Sequence, residues 1–115
     1  MRQVSDLFIK SVTDAYLNAV DFTDGEELGD ASFSILFLSE AVADVTKFLQ
    51  ESPIDLDQYD HEQIGHDFWL TRNGHGAGFW DRPEIYGETE CNTLTEYAKT
   101  FGAKDTYVGD DGMIY

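Results

Sequence analysis

Apolar residues at Val4, Leu7, Phe8, Val12, Tyr16, Leu17 and Val20 recur close to a 3.6-residue period. They predict an amphipathic helix over 4–20, with Ser5 as its N-cap. The period then breaks. Asp21 to Asp30 carries five acids, no base and two glycines, and predicts an exposed loop. Phe33 to Leu38 is too short a run for periodicity to separate strand from helix. Val42, Val45, Phe48 and Leu49 form a second stripe over 40–50, with Ser39 as cap and Pro53 beyond its end. Residues 51–62 form a second acidic stretch.

The centre alternates differently. His66 to Arg72, then Asn73-Gly74-His75-Gly76, then Ala77 to Arg82 predict a β-hairpin, because Asn-Gly is a favoured two-residue turn. Phe68, Leu70 and Phe79 would share one face, and Trp69 and Trp80 the other. Gly78 would lie on the Trp face under an indole. Large apolar groups on both faces place such a hairpin inside a fold. After a loop over 83–92, Leu94, Tyr97, Ala98 and Phe101 predict a short helix over 94–101, ending at Gly102. Residues 105–115, with the Gly109-Asp110-Asp111-Gly112 turn, predict a second hairpin. The expected fold class is therefore α+β, about three helices packed on a small antiparallel sheet built from hairpins 66–82 and 105–115. At 115 residues the chain has room for a single domain, 1–115.

Charge changes what this domain can bind. Against 23 acids stand 7 Lys+Arg, a formal net charge of −16. That excludes direct nucleic acid and an anionic membrane surface as partners, since both are negative themselves. An aromatic fraction of 14% separates the chain from disordered acidic tails. The single Cys91 permits no internal disulfide and agrees with a reducing compartment. No secretory leader is evident at Met1, and Ile35 to Leu38 is too short to span a bilayer.

Duplex DNA carries about one charge per 1.7 Å, so sixteen charges match roughly 27 Å of duplex. A compact chain of this length is about 35 Å across. DNA-like charge over a DNA-like length suggests a decoy for a basic, nucleic-acid-binding protein. The contacts expected are Asp21, Asp24, Glu26, Glu27, Asp30, Asp55, Asp57, Asp60 and Glu62, provided that the acidic loops converge on one face. Two copies as a homodimer would lengthen such a surface. Salt adaptation of a virion or structural protein accounts for the same charge without an inhibitory role.

Other chemistry fits less well. Asp55-x-Asp57-x-x-Asp60-x-Glu62 fails the calcium-loop template, with Asp60 where glycine is needed and His66 in place of the closing Glu. His61, His66, His75 and Cys91 match no zinc spacing, so no metal and no cofactor is expected. A small metal-dependent hydrolase around His66, Asp67 and His75 is the catalytic alternative. On a strand, however, His66 and Asp67 would face opposite sides, and no catalytic residue is assigned. Arg72 and Arg82 are expected to pair with neighbouring carboxylates.

The block HDFWLTRNGHGAGFWDR at 66–82, the helix Leu94 to Phe101 and the ending YVGDDGMIY at 107–115 resemble a family of small acidic proteins of bacteriophages and related mobile elements. The resemblance covers roughly the C-terminal half and carries no catalytic residue. It implies a viral protein in the host bacterial cytoplasm, where small acidic proteins often mimic DNA or inhibit restriction and CRISPR systems.

Overall fold

The computed structural model describes residues 2–115. Ser5 Oγ accepts from the backbone N–H of Phe8 at 3.1 Å and starts α1 (Asp6–Leu28), as the apolar spacing predicts. The helix does not stop at Val20. It runs through the acidic segment expected to be a loop and ends at Gly29, whose φ of 61° suits glycine. Tertiary contacts hold this extension down. Thr23 Oγ1 accepts from Trp69 Nε1 at 2.9 Å, and Leu28 is buried. A two-residue strand β1 (Ser32–Phe33) follows, and Ser34, not Ser39, caps α2 (Ile35–Glu51). The ambiguous 33–38 segment thus divides between the two. Pro53 lies two residues past the end of α2.

The expected α+β fold, with its antiparallel sheet, gives way to a mostly helical one. Residues 66–82 form no hairpin. Asp60 caps α3 (His61–Arg72), its carboxylate accepting from Gln63 N–H at 3.2 Å. Ile64, Phe68 and Thr71 on one row, with Gly65, Trp69 and Arg72 on the next, are all buried at helical spacing. Leu70 is half-buried. Gly65 fixes the packing: a Cβ there would come within 2.5 Å of Val12 O and 2.6 Å of the Ala15 Cβ on α1. Asn73 and Gly74 end α3, and the positive φ of 68° at Gly74 serves a helix terminus instead of a hairpin turn.

Beyond them the chain folds back, and Phe79 N–H donates to Thr71 Oγ1 at 3.0 Å. Gly78 is buried where a Cβ would collide with Thr71 Oγ1 and the Trp80 ring, and Phe79 and the half-buried Trp80 belong to a 3₁₀ turn, Phe79–Asp81. The single-turn α4 (Pro83–Tyr86) and α5 (Glu88–Lys99) replace the expected loop, and Cys91 is buried in α5.

The sheet is one parallel pair. β2 (Met113–Ile114) pairs with β1, Ser32 opposite Met113 and Phe33 opposite Ile114. The 105–115 segment keeps only one antiparallel bridge, Val108 to Ile114. α3 packs mainly on α1. Aromatic rings from α2, α3 and the 3₁₀ turn fill the centre, where Phe48 stacks on Phe68 with ring centroids 4.1 Å apart. No helix is long and apolar enough to cross a membrane among the described residues.

Candidate functional site

Each predicted contact acid now has a position. Asp21, Asp24, Glu26 and Glu27 ride the last turns of α1, and Asp30 sits in the turn after it. Asp55 and Asp57 lie between α2 and α3, Asp60 caps α3, and Glu62 is in its first turn. All are exposed except Asp24, which is half-buried and accepts from Thr106 Oγ1 at 2.7 Å. Two others have local tasks: Asp60 as the cap, and Asp55, which accepts from Asp57 N–H at 3.0 Å.

They do not gather on one face. Six of them fall into three groups strung along α1. Asp55 and Asp57 flank a recess of about 280 Å³ beside Arg2 at the helix start. Asp60 and Glu62 face Asp14 across an open cleft of about 660 Å³ at mid-helix. Asp24 and Glu27 meet Asp105, His75 and Lys104 around a cleft of about 240 Å³ near its end. Phe8 and Asp24 are ~24 Å apart along the axis, and Asp24 and Glu27 are turned about 80° and 140° from Asp14 around it. Asp14 and Asp105 were not singled out from the sequence. The seven-residue interval from Asp14 to Asp21, two helical turns, was the available signal.

Little of this charge is neutralised within the fold. Four ion pairs engage Asp14, Glu40, Asp44 and Asp67, and no other carboxylate has an ion-pair partner among the described residues. The last turn of α1 contains no base, so Glu26 and Glu27 stand at the negative end of the helix dipole. With a longest extent of 43 Å, the molecule carries one net negative charge per about 2.7 Å, against about 1.7 Å in duplex DNA.

Arg72 and Arg82 do pair with carboxylates, and their surroundings show what these pairs hold. Arg72 is buried and donates to Asp44 at 2.8 Å, Tyr16 OH at 3.0 Å, Gly102 O at 2.9 Å and Phe101 O at 3.1 Å, tying α1, α2 and α3 to the end of α5. Burial pushes the Tyr16 phenol up to about 12, against the opposing pull of Arg72. Asp67 is 0% exposed and accepts from Gln63 Nε2 at 2.9 Å, Tyr86 OH at 3.0 Å and Arg82 Nε at 3.4 Å. Burial raises its carboxyl above the ordinary value, and the three donors only partly oppose this. The same burial, with Asp67 beside it, raises the Tyr86 phenol.

The residues of the catalytic alternative are dispersed. His75 lines the cleft with Asp24 and Glu27, whereas Asp67 turns inward toward α4. His66 Nε2 is buried without a hydrogen-bond partner. On a helix, His66 and Asp67 point about 100° apart. No three His, Cys, Asp or Glu side chains are placed to share a metal among the described residues. The arrangement presents mostly unpaired carboxylates on a helical frame. No family model matches the chain, and neither a curated protein nor a solved structure matches it.

Proposed function

We propose that this chain is a phage accessory protein that binds a basic nucleic-acid-handling protein of the host, such as a restriction or CRISPR factor, and blocks it in the bacterial cytoplasm. The viral setting rests on the resemblance of segments 66–82 and 107–115. The inhibitory reading rests on one observation: most carboxylates lack a cationic partner, and Glu26 and Glu27 occupy a helix end where the dipole disfavours them. Charge placed at a cost to its own helix has its use outside the fold. The acids do not share the single face that a full duplex mimic needs, so one group of carboxylates at a time would stand where phosphates normally sit.

The test is binding to purified restriction and CRISPR effectors at low and high salt, with duplex DNA as competitor. The expected outcome is a complex that weakens by more than tenfold toward high salt and is displaced by DNA. A complex that survives high salt, or that tolerates neutralising both 21–30 and 51–62, would overturn the proposal. Stability rising steadily toward molar salt with no partner captured would favour a salt-adapted structural protein.

A further inference from the structure

α1 and α2 run antiparallel, with Arg2 N–H donating to Gln50 O at 2.8 Å at one end. Between them lies an open groove of about 670 Å³ that the acidic surface does not account for. Its floor is apolar: Ile9 and Leu17 from α1, Leu38 and Val42 from α2. Leu38 is 37% exposed and Val42 47%, and Ile35, one turn earlier on the same row, is 82% exposed. Solvent-facing aliphatic groups aligned at i, i+3 and i+7 along a groove mark a surface made for covering.

Charge decides what covers it. Asp6 and Asp14 line the groove, and the one base there, Lys10, is already bonded to Asp14 at 2.9 Å. Asp21 continues the row of Asp14 and Leu17 two turns on. A second copy would bring another net charge of −16 and the same carboxylates against these, which opposes self-association. An anionic lipid surface is repelled for the same reason. From Leu38 to Gln50 the α2 wall is ~18 Å long, the rise of about 12 helical residues. A straight apolar trough between two helices accepts a third helix by ridge-into-groove packing, read as i, i+3/i+4, i+7 anchors.

We infer that the α1–α2 groove docks a basic amphipathic helix of the partner protein, its apolar row on Leu17, Leu38 and Val42 and its Lys or Arg side chains toward Asp6 and Asp21, the acids along this side that Lys10 does not already engage. This rests on the proposal of a basic partner and adds to the diffuse acidic surface a shaped anchor that sets which partner fits.

The probe is a fluorescent Leu/Lys peptide of about 18 residues with its leucines on one helical row. A second peptide of the same composition has its leucines dispersed. Binding to the full chain is read by anisotropy, and the site by methyl NMR shifts at Leu17 and Val42. The patterned peptide is expected to bind at least tenfold tighter than the dispersed one. L38S/V42S should remove that difference, while I85S, at an exposed position on α4, should keep it. V42Q alone repeats the test should the double variant lose its helical fold.

Equal binding of the two peptides, or indifference to L38S/V42S and V42Q, would overturn the groove and leave the acidic-surface proposal standing. A dimer in sedimentation that L38S/V42S dissociates would overturn it in favour of a second copy. Patterned binding together with failure to engage any nucleic-acid-handling protein would support the groove and refute the proposed function alone.

Discussion

Asp67 and Glu27 are both carboxylates on helices that pack together, yet they are held in opposite ways. Asp67, on α3, is fully buried, with three hydrogen-bond donors around it. Glu27, on the last turn of α1, is exposed, has no ion-pair partner among the described residues and faces the unfavourable end of its helix dipole. The α3 charge organises the interior, whereas the charge at the end of α1 leaves it undisturbed. The two regions should therefore respond to mutation with different magnitudes and even different signs.

The largest effect is expected where α3 meets α1. A leucine at Gly65 must displace Val12 O and the Ala15 side chain, both main-chain or short groups that cannot swing aside. Gly65→Leu should cost about 3 kcal/mol or more, enough to unfold a marginal domain, measured by urea denaturation followed by circular dichroism. Next comes Asp67. Asp67→Ala leaves the Tyr86 hydroxyl and Gln63 amide without their acceptor and should cost about 1–3 kcal/mol.

Asp67→Asn keeps the shape and isolates the titration. The folded-state pKa of Asp67 is raised, so the native state holds its proton more tightly than the unfolded chain, where the value is about 3.9. The wild-type advantage over D67N should be full below that pH and shrink as pH rises through the folded-state value. A difference that grows with pH would contradict a burial-dominated shift.

Two smaller changes probe the other region. Gly25 is helical within α1, and nothing lies within 4 Å of a Cβ built there. Gly25→Ala should stabilise by about 0.5–1 kcal/mol, seen as a raised melting temperature. The triple change D21N/E26Q/E27Q should shift stability least, by about 0.5 kcal/mol and upward at low salt, because it relieves repulsion and the dipole penalty. The same triple variant should weaken any basic partner severely, which separates a binding charge from a structural one.

The sequence made α1, α2 and α5 legible in kind, though their ends moved. Ser5 caps α1 as its spacing with the following apolar row implied, and Pro53 lies beyond α2. The central block misled for a physical reason. Asn73-Gly74 supplies a positive φ, which a hairpin turn and a helix C-terminus need equally, and Phe68-Trp69-Leu70 is a continuous apolar run that fits either period.

Gly65 held the deciding information, but a glycine that admits a neighbouring backbone looks the same in sequence as one that weakens a helix. The 21–30 segment misled in the converse way. Its glycines and acids carry turn chemistry, yet the tertiary partners Trp69 and Thr106 hold Thr23 and Asp24 within α1. The acids themselves were identified from composition, but their distribution around α1 depends on that extension. The α1–α2 groove depends on which of two apolar stripes on α2 finds a partner, a choice that local pattern does not encode.

The strand pair sets an order of events. Ser34 N–H donates to Ile114 O at 2.9 Å, and the Ile114 side chain is buried in the core beside residues from the first third of the chain. Closing so long a loop spends backbone entropy that is recovered only after the helices between its ends have packed. During synthesis the pocket for Ile114 must wait, open, until all the residues between the two strands have emerged. The core is therefore completed by a segment made long after the first two helices, and any form lacking Met113–Ile114 exposes apolar surface that the folded molecule hides.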